Sequence, residues 1–255
     1  MKTKAKLSCR FFRIQDISIP KMLEMHAVFS QYYHNADLAT FISDMSKKNG
    51  VFILKDKTAG RIVGFSTWNE VEIDYRGRKA IGVFSGDTIV EKEYWGNKAM
   101  HTAFAMKMLS TKLLNPTTHV FWLLISKGYK TYLLMTNNFE RFYPRHDQQD
   151  NELEGLVDQY CNLLYPEYYD ADTRILDFGD GYHALKSDVA AITPNMRATN
   201  ANIRFFDYRN NDWRRGTEMP CIAEVTPTTL INFFKKVTVG AFRIRRSRRL
   251  QKSLA

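Results

Sequence analysis

The eleven residues Val90-Glu91-Lys92-Glu93-Tyr94-Trp95-Gly96-Asn97-Lys98-Ala99-Met100 change character twice. Before them, Lys79 to Val90 has the composition of a strand. From Ala99 onward, Met100, Ala103, Phe104 and Met108 fall on one helical stripe, which Asn115-Pro116 closes. Between the two lies a polar loop with a single glycine. A strand therefore feeds through a short loop into a helix. The first amides of such a helix have no intrahelical acceptor, and the helix dipole adds about half a positive charge. Gly96 lets a ligand approach the backbone. The junction has the makings of a phosphate cradle.

Working back from it, Val51 to Lys55, Arg61 to Asp74 and Lys79 to Val90 read as three strands joined by the turns Lys57-Thr58-Ala59-Gly60 and Tyr75-Arg76-Gly77-Arg78. Residues 6–14 read as a first strand. Two helices follow it, one entered at Ser18 with Pro20 in its first turn, the other capped by Asp37. Working forward, Val120 to Ile125 is a doubly buried strand. A helix after Gly128 places Tyr132, Met135, Phe139 and Phe142 on one face before Pro144. Leu153, Val157, Tyr160 and Leu164 predict another helix. Asn202 to Tyr208 and Cys221 to Val225 read as two more strands, and Thr226-Pro227 opens a last helix bearing Leu230, Phe233, Phe234 and Val237. There is no internal repeat.

The chain of 255 residues carries 37 basic and 27 acidic side chains, unevenly placed. Residues 1–146 hold 22 basic and 12 acidic groups, residues 147–180 hold 1 and 10, and residues 181–255 hold 14 and 5. The dip marks a separate structural unit. The predicted organisation is a core over 1–146, an acidic insertion over 147–200 (a helix plus a turn-rich segment), closing strands and a helix over 201–240, and a basic flexible tail over 241–255. That tail, with Arg243, Arg245, Arg246, Arg248, Arg249 and Lys252, suits phosphates such as those of nucleic acid. Three scattered cysteines exclude a disulfide framework, and six histidines without HxH or HxxxH spacing predict no metal site. No apolar run spans a membrane. The composition predicts a soluble, cytoplasmic protein, and it leaves the oligomeric state open.

The junction resembles the acyl-coenzyme A loop of the GNAT acyltransferase family, in which a strand ending in valine is followed by a Glu-Tyr-x-Gly core and a helix. Glu93-Tyr94-Trp95-Gly96 supplies that core. Trp95 stands where the family usually has Arg or Gln, and Lys98 and Met100 where small residues are usual. The resemblance implies an α+β fold: a mixed, mostly antiparallel central sheet flanked by helices, here with an inserted helical and loop segment. It implies no tightly bound cofactor, and acyl-CoA as co-substrate. Ile89 and Val90 would pair with the pantetheine arm across a gap opened where their strand splays from Val120–Ser126. Gly96, Asn97, Lys98 and Ala99 would cradle the pyrophosphate.

By the same resemblance, Tyr143, late in Asn137-Asn138-Phe139-Glu140-Arg141-Phe142-Tyr143-Pro144, would protonate the departing thiolate; a phenol's pKa near 10 suits that task. A carboxylate on the central strands would take the amine's proton. Asp87 ranks first, because a charge in a buried-looking strand needs a partner. Glu72, which shares a face with Glu70, ranks second. The implied reaction is transfer of an acyl group from coenzyme A, or from an acyl carrier protein, to a small-molecule amine or amino acid. The aromatic insertion suggests a bulky acyl chain or a lid, as in the related acyl-amino-acid synthases. The alternative is a catalytically silent relative that binds nucleic acid or an acidic partner through its basic surface or tail.

Overall fold

The computed structural model describes residues 6–186 and 189–232. Eight strands form one sheet: β1 (Leu7–Arg13), β2 (Gly50–Asp56), β3 (Arg61–Tyr75), β4 (Arg78–Ser85), β5 (Thr88–Val90), β6 (Val120–Ser126), β7 (Phe142–Tyr143) and β8 (Met219–Glu224). Their order is β1-β2-β3-β4-β6-β8-β7, with β5 paired to β3. Only β4 and β6 run parallel; every other pairing within this sheet is antiparallel. The mixed, mostly antiparallel α+β fold is as the sequence implied.

Helices α1 (Ile19–Tyr32) and α2 (Leu38–Ser46) bury Met25, Phe29, Phe41 and Met45 against Val51, Ile53, Phe65 and Ile89. Asp37 caps α2, its carboxylate accepting from the Thr40 amide at 2.8 Å. On the other face, α3 (Ala99–Leu114) and α4 (Tyr129–Thr136) pack over Phe52, Trp68 and Trp122. The residues of β6 alternate between two cores: Val120, Trp122 and Leu124 face α3 and α4, while Phe121 and Leu123 face α5 (Asn151–Leu164). Burial on both faces is why this strand reads as an unbroken apolar run.

Three expectations need correction. Residues 201–209 are not a strand but a helix, α7 (Ala201–Arg209), which follows the short α6 (Pro194–Thr199). The Asn200 side chain accepts from the amides of Asn202 and Ile203 and starts it, and Ile203 and Phe206, three apart, are its buried face. Among the described residues, the segment after β7 therefore closes the sheet with one strand, not two. Phe142 and Tyr143 are not the end of a helix: α4 stops at Thr136, and they pair with β8. The acidic segment is not set apart either. Its helix α5 buries Leu153, Val157 and Tyr160 against Phe121, Leu123 and Ile222 of the sheet. The last helix begins at 227–232, with Thr226 Oγ1 accepting from the Thr229 amide. Phe233, Phe234 and Val237, expected on this helix, and the basic tail lie outside the described residues.

The acidic segment finds its counter-charges on the core. Arg141 bonds Asp150 at 2.7 Å, Glu152 at 2.8 Å and Glu224 at 3.1 Å, and Arg76 reaches Glu152 at 2.6 Å. Hydrogen bonds from Arg76 and then Arg141 hold the Glu152 carboxyl at about 2, below its ordinary 4.5. A carboxyl lowered on folding stabilises the fold above its unfolded value, and that contribution disappears as pH falls through the folded one. Melting temperature is therefore expected to drop between pH 4.5 and 2, and Glu152→Gln to flatten that limb of the profile. Thermal scans across this window check it.

Candidate active site

The parallel pairing of β4 and β6 runs from Ile81 opposite Val120 to Ser85 opposite Leu124 and stops there. Gly86-Asp87 interrupts the strand, and β5 resumes against β3 alone, Thr88 to Val90 lying opposite Ser66 to Gly64. The sheet opens into a wedge at this point. Gly64 makes the new path possible: a Cβ there would sit 2.6 Å from the Ile89 carbonyl oxygen. Gly64→Val is expected to push β5 off β3, destabilise the fold by about 1–3 kcal/mol and deform the wedge; chemical denaturation measures the first effect.

Alternation decides which peptide groups face the gap. The Glu91 amide donates to the Val63 carbonyl, so Ile89 also directs its peptide groups at β3, and those of Val90 point the other way. Of the two residues expected to meet a pantetheine arm, only Val90 faces the wedge. Its carbonyl accepts a 2.7 Å hydrogen bond from Trp95 Nε1.

Two cavities open from the wedge, one of about 510 Å³ and one of about 710 Å³. Ser85, Thr88, Val90, Trp95, Lys130 and Thr131 line both. The smaller runs along the loop 94–97, past Met100, His101 and Phe104 of α3, to Leu134, Asn137 and Phe139. Gly96 and Asn97 line it, Gly96 with a left-handed φ of 79°. The Asn97 side chain takes the Ala99 amide at 2.8 Å, so one donor of the helix start is already used. Lys98 is the N-cap residue of α3, and Ala99 packs towards Leu54 and Val63; neither lines a cavity. Glu91 anchors the loop from beneath through Arg61, whose Nη2 donates at 2.6 Å, and Tyr94 donates to Asp56 at 3.0 Å. Burial, then the Lys98 charge, lowers the His101 pKa, so this side chain lines the cavity as neutral imidazole at pH 7.

The larger cavity is walled by aromatic rings. Tyr165, Phe178 and Tyr182 form a continuous array, with centroids 5.3 Å and 4.4 Å apart, and Tyr33 and Phe84 add to the lining. The first three belong to the segment between β7 and β8. Asp44, Asp87, Glu218, Lys48 and Lys127 also line the cavity. Glu218 and Lys127 form an ion pair of 3.0 Å with side chains 7% and 10% exposed. Burial raises the Glu218 carboxyl while Lys127 pulls it back. Burial raises Tyr33 as well, and the negative charges of Asp87 and Glu218 add to the rise. Among the described residues Asp87 makes no hydrogen bond or ion pair, and its charge faces Tyr33, Tyr165 and Tyr182.

Asp87 therefore sits beside the wedge, as the sequence suggested, whereas two companions do not. Glu72 lies exposed on β3, paired with Lys79 at 3.0 Å, and lines neither cavity. Tyr143 is 8% exposed in the cluster formed by α5 and lines neither cavity. The end of α4 at Thr136 is what sends it there: Asn137 reaches the smaller cavity, but the chain then turns into β7. Glu218 and Lys127 belong to no motif. Their one signal is position, a charge placed just before the apolar run 219–223 and another just after the apolar run 120–126. The thiols of Cys9, Cys161 and Cys221 are raised by burial, Cys9 to about 12, which leaves them inert. Among the described residues no group of His, Cys, Asp and Glu is placed to hold a metal, and no helix is long and apolar enough to cross a membrane.

No protein-family signature and no curated protein matches the sequence. The solved structures that resemble it include a conserved protein of Enterococcus faecalis described as a probable N-acyltransferase, at 15% identity and TM-score 0.38 over 54% of this chain and 33% of that one. Another is a GNAT family N-acetyltransferase of Escherichia coli in complex with CoA, at 15% and 0.38 over 55% and 73%. A third is an acetyltransferase of Trypanosoma brucei, at 19% and 0.36 over 57% and 99%. The chain spans about a third of the length of the Enterococcus faecalis protein. A mixed, mostly antiparallel sheet whose one parallel strand pair, β4 and β6, parts after Ser85 is the architecture that the Glu-Tyr-x-Gly junction implied.

Proposed function

We propose that the chain transfers an acyl group from acyl-coenzyme A to an amine by direct attack in a ternary complex. The observation that carries this is the pair of cavities meeting at the wedge, since a two-substrate transfer needs two sites that share a boundary and exclude water between them. The smaller cavity, with its loop and helix start, takes the donor. Gly96 and Asn97 lie where the pyrophosphate would enter, with Lys98 and the α3 dipole supplying positive potential. The larger cavity takes the acceptor. Its mixture of Asp44, Asp87 and Glu218 with Lys48 and Lys127 suits an amine that also bears an anionic group, an amino acid being the simplest case. Its aromatic wall suits an apolar side chain or a long acyl group.

In the reaction the amine nitrogen bonds to the thioester carbonyl carbon, the carbon–sulfur bond breaks, and the thiolate leaves with the electron pair. Asp87 takes the amine's proton. The other residues bind and orient, so most of the rate comes from positioning. The test is calorimetric titration with coenzyme A, followed by thiol release from acetyl- and long-chain acyl-CoA in the presence of an amino-acid panel. Micromolar binding and amine-dependent thiol release are expected. No binding of coenzyme A overturns the proposal and favours a silent binding protein.

A further inference from the structure

Trp95 is one of three residues at which the loop departs from the pattern it resembles, and the wedge gives that departure a role. The indole N–H bonds the Val90 carbonyl at 2.7 Å. That carbonyl is the strand group turned towards the gap, the place where an amide of the donor's arm would form its own hydrogen bond. The ring also lines both cavities. On its face lies Lys130, with Nζ 3.8 Å from the ring centroid, and the same Nζ donates to the Val189 carbonyl at 2.6 Å. Val189 belongs to the inserted segment and lines the larger cavity. One chain of contacts therefore runs from the donor strand through the indole and Lys130 to the acceptor wall. Gly96, with φ 79° and no atom within 4 Å of where a Cβ would lie, follows the indole directly.

We propose that Trp95 is a gate between the two cavities. It holds the Val90 carbonyl in the free protein, yields it to the donor, and in moving releases Lys130 and opens the passage to the acceptor. Donor binding then precedes acceptor binding, and a thioester meets the acceptor cavity only after the indole has left. Trp95 is thus a positioning residue that sets the order of binding. This inference rests on the smaller cavity being the donor site.

The experiment uses coenzyme A as the probe, on the wild-type chain and on Trp95→Phe. Of the four tryptophans Trp95 is 41% exposed, while Trp68, Trp122 and Trp213 are 1%, 4% and 5% exposed, so acrylamide quenching of the wild type reports chiefly on Trp95. Coenzyme A is expected to change that quenching. The Phe variant keeps a ring but has no N–H to withdraw from Val90. It is expected to bind coenzyme A about 2- to 10-fold more tightly, the usual worth of one hydrogen bond. Equal affinities with unchanged quenching would overturn the gate and leave the acyltransferase reading standing. Weaker binding by a variant that melts normally would also overturn it, by making the indole a donor contact. Absence of binding by both proteins would remove the donor site itself and the gate with it. The quenching measurement needs no variant, so it holds even if Trp95→Phe folds poorly.

Discussion

Asp87→Asn is expected to lower turnover about 100- to 10,000-fold, the range for losing a positioned general base. Coenzyme A affinity and melting temperature should stay where they are. The substitution keeps the shape of the side chain, and the carboxylate it removes has no hydrogen bond or ion pair among the described residues, so little structure depends on it. Raising the pH should recover part of the loss, because a fraction of the amine is then deprotonated before it binds. A variant as fast as the wild type at every pH would transfer the base role elsewhere in the larger cavity, with Glu218 the next carboxylate along its wall.

Lys127→Ala is expected to cost about 3–5 kcal/mol, the penalty for leaving one member of a buried ion pair alone. The pair is nine-tenths or more buried on both sides. Lys127 also lies over the Tyr182 ring at 4.5 Å, so alanine would strip packing as well as charge. The pH dependence separates the two contributions. Burial raises the Glu218 carboxyl above its ordinary 4.5. A carboxyl raised on folding favours the fold most below its unfolded value, and stability falls as pH rises through that value towards the folded one. Without Lys127 only the Lys48 charge opposes the rise, so the variant should lose stability above pH 4.5 more steeply than the wild type. Adding Glu218→Gln should restore the slope but not the packing. Denaturant titrations at several pH values read both.

The sequence made the strand-to-helix junction legible because a turn in composition, a glycine and an apolar stripe agree there. The same agreement placed β2, β3 and β6, whose apolar runs and hairpin turns leave little choice. Residues 202–208 misled because phenylalanine and tyrosine are as welcome in strands as on the buried face of a helix, and the deciding signal was the Asn200 cap rather than the run itself. Tyr143 misled for a different reason. Its place depends on where α4 stops, and a helix that ends seven residues earlier delivers the phenol to another core. Asp87 could be found because a lone charge interrupts an apolar strand. Glu218 and Lys127 could not, since only the pairing of β8 with β6, Met219 opposite Ser126, brings two residues so distant in the chain together.

The closing of the sheet by β8 also bears on how the chain is made. Strands β1 to β5 follow one another closely and can pair as they are synthesised, while β6 finds one neighbour in β4 and waits for the other until residues 144–218 have been added. Until then Val120 to Leu124 presents an apolar strand edge with open backbone groups, the surface on which nascent chains aggregate or recruit chaperones. Ribosome-bound chains ending before Met219 should therefore be sensitive to protease around β6, and those that extend past Glu224 should be protected. The aromatic segment that walls the larger cavity is thus also a delay in assembly, and its length sets how long the half-built sheet stays exposed.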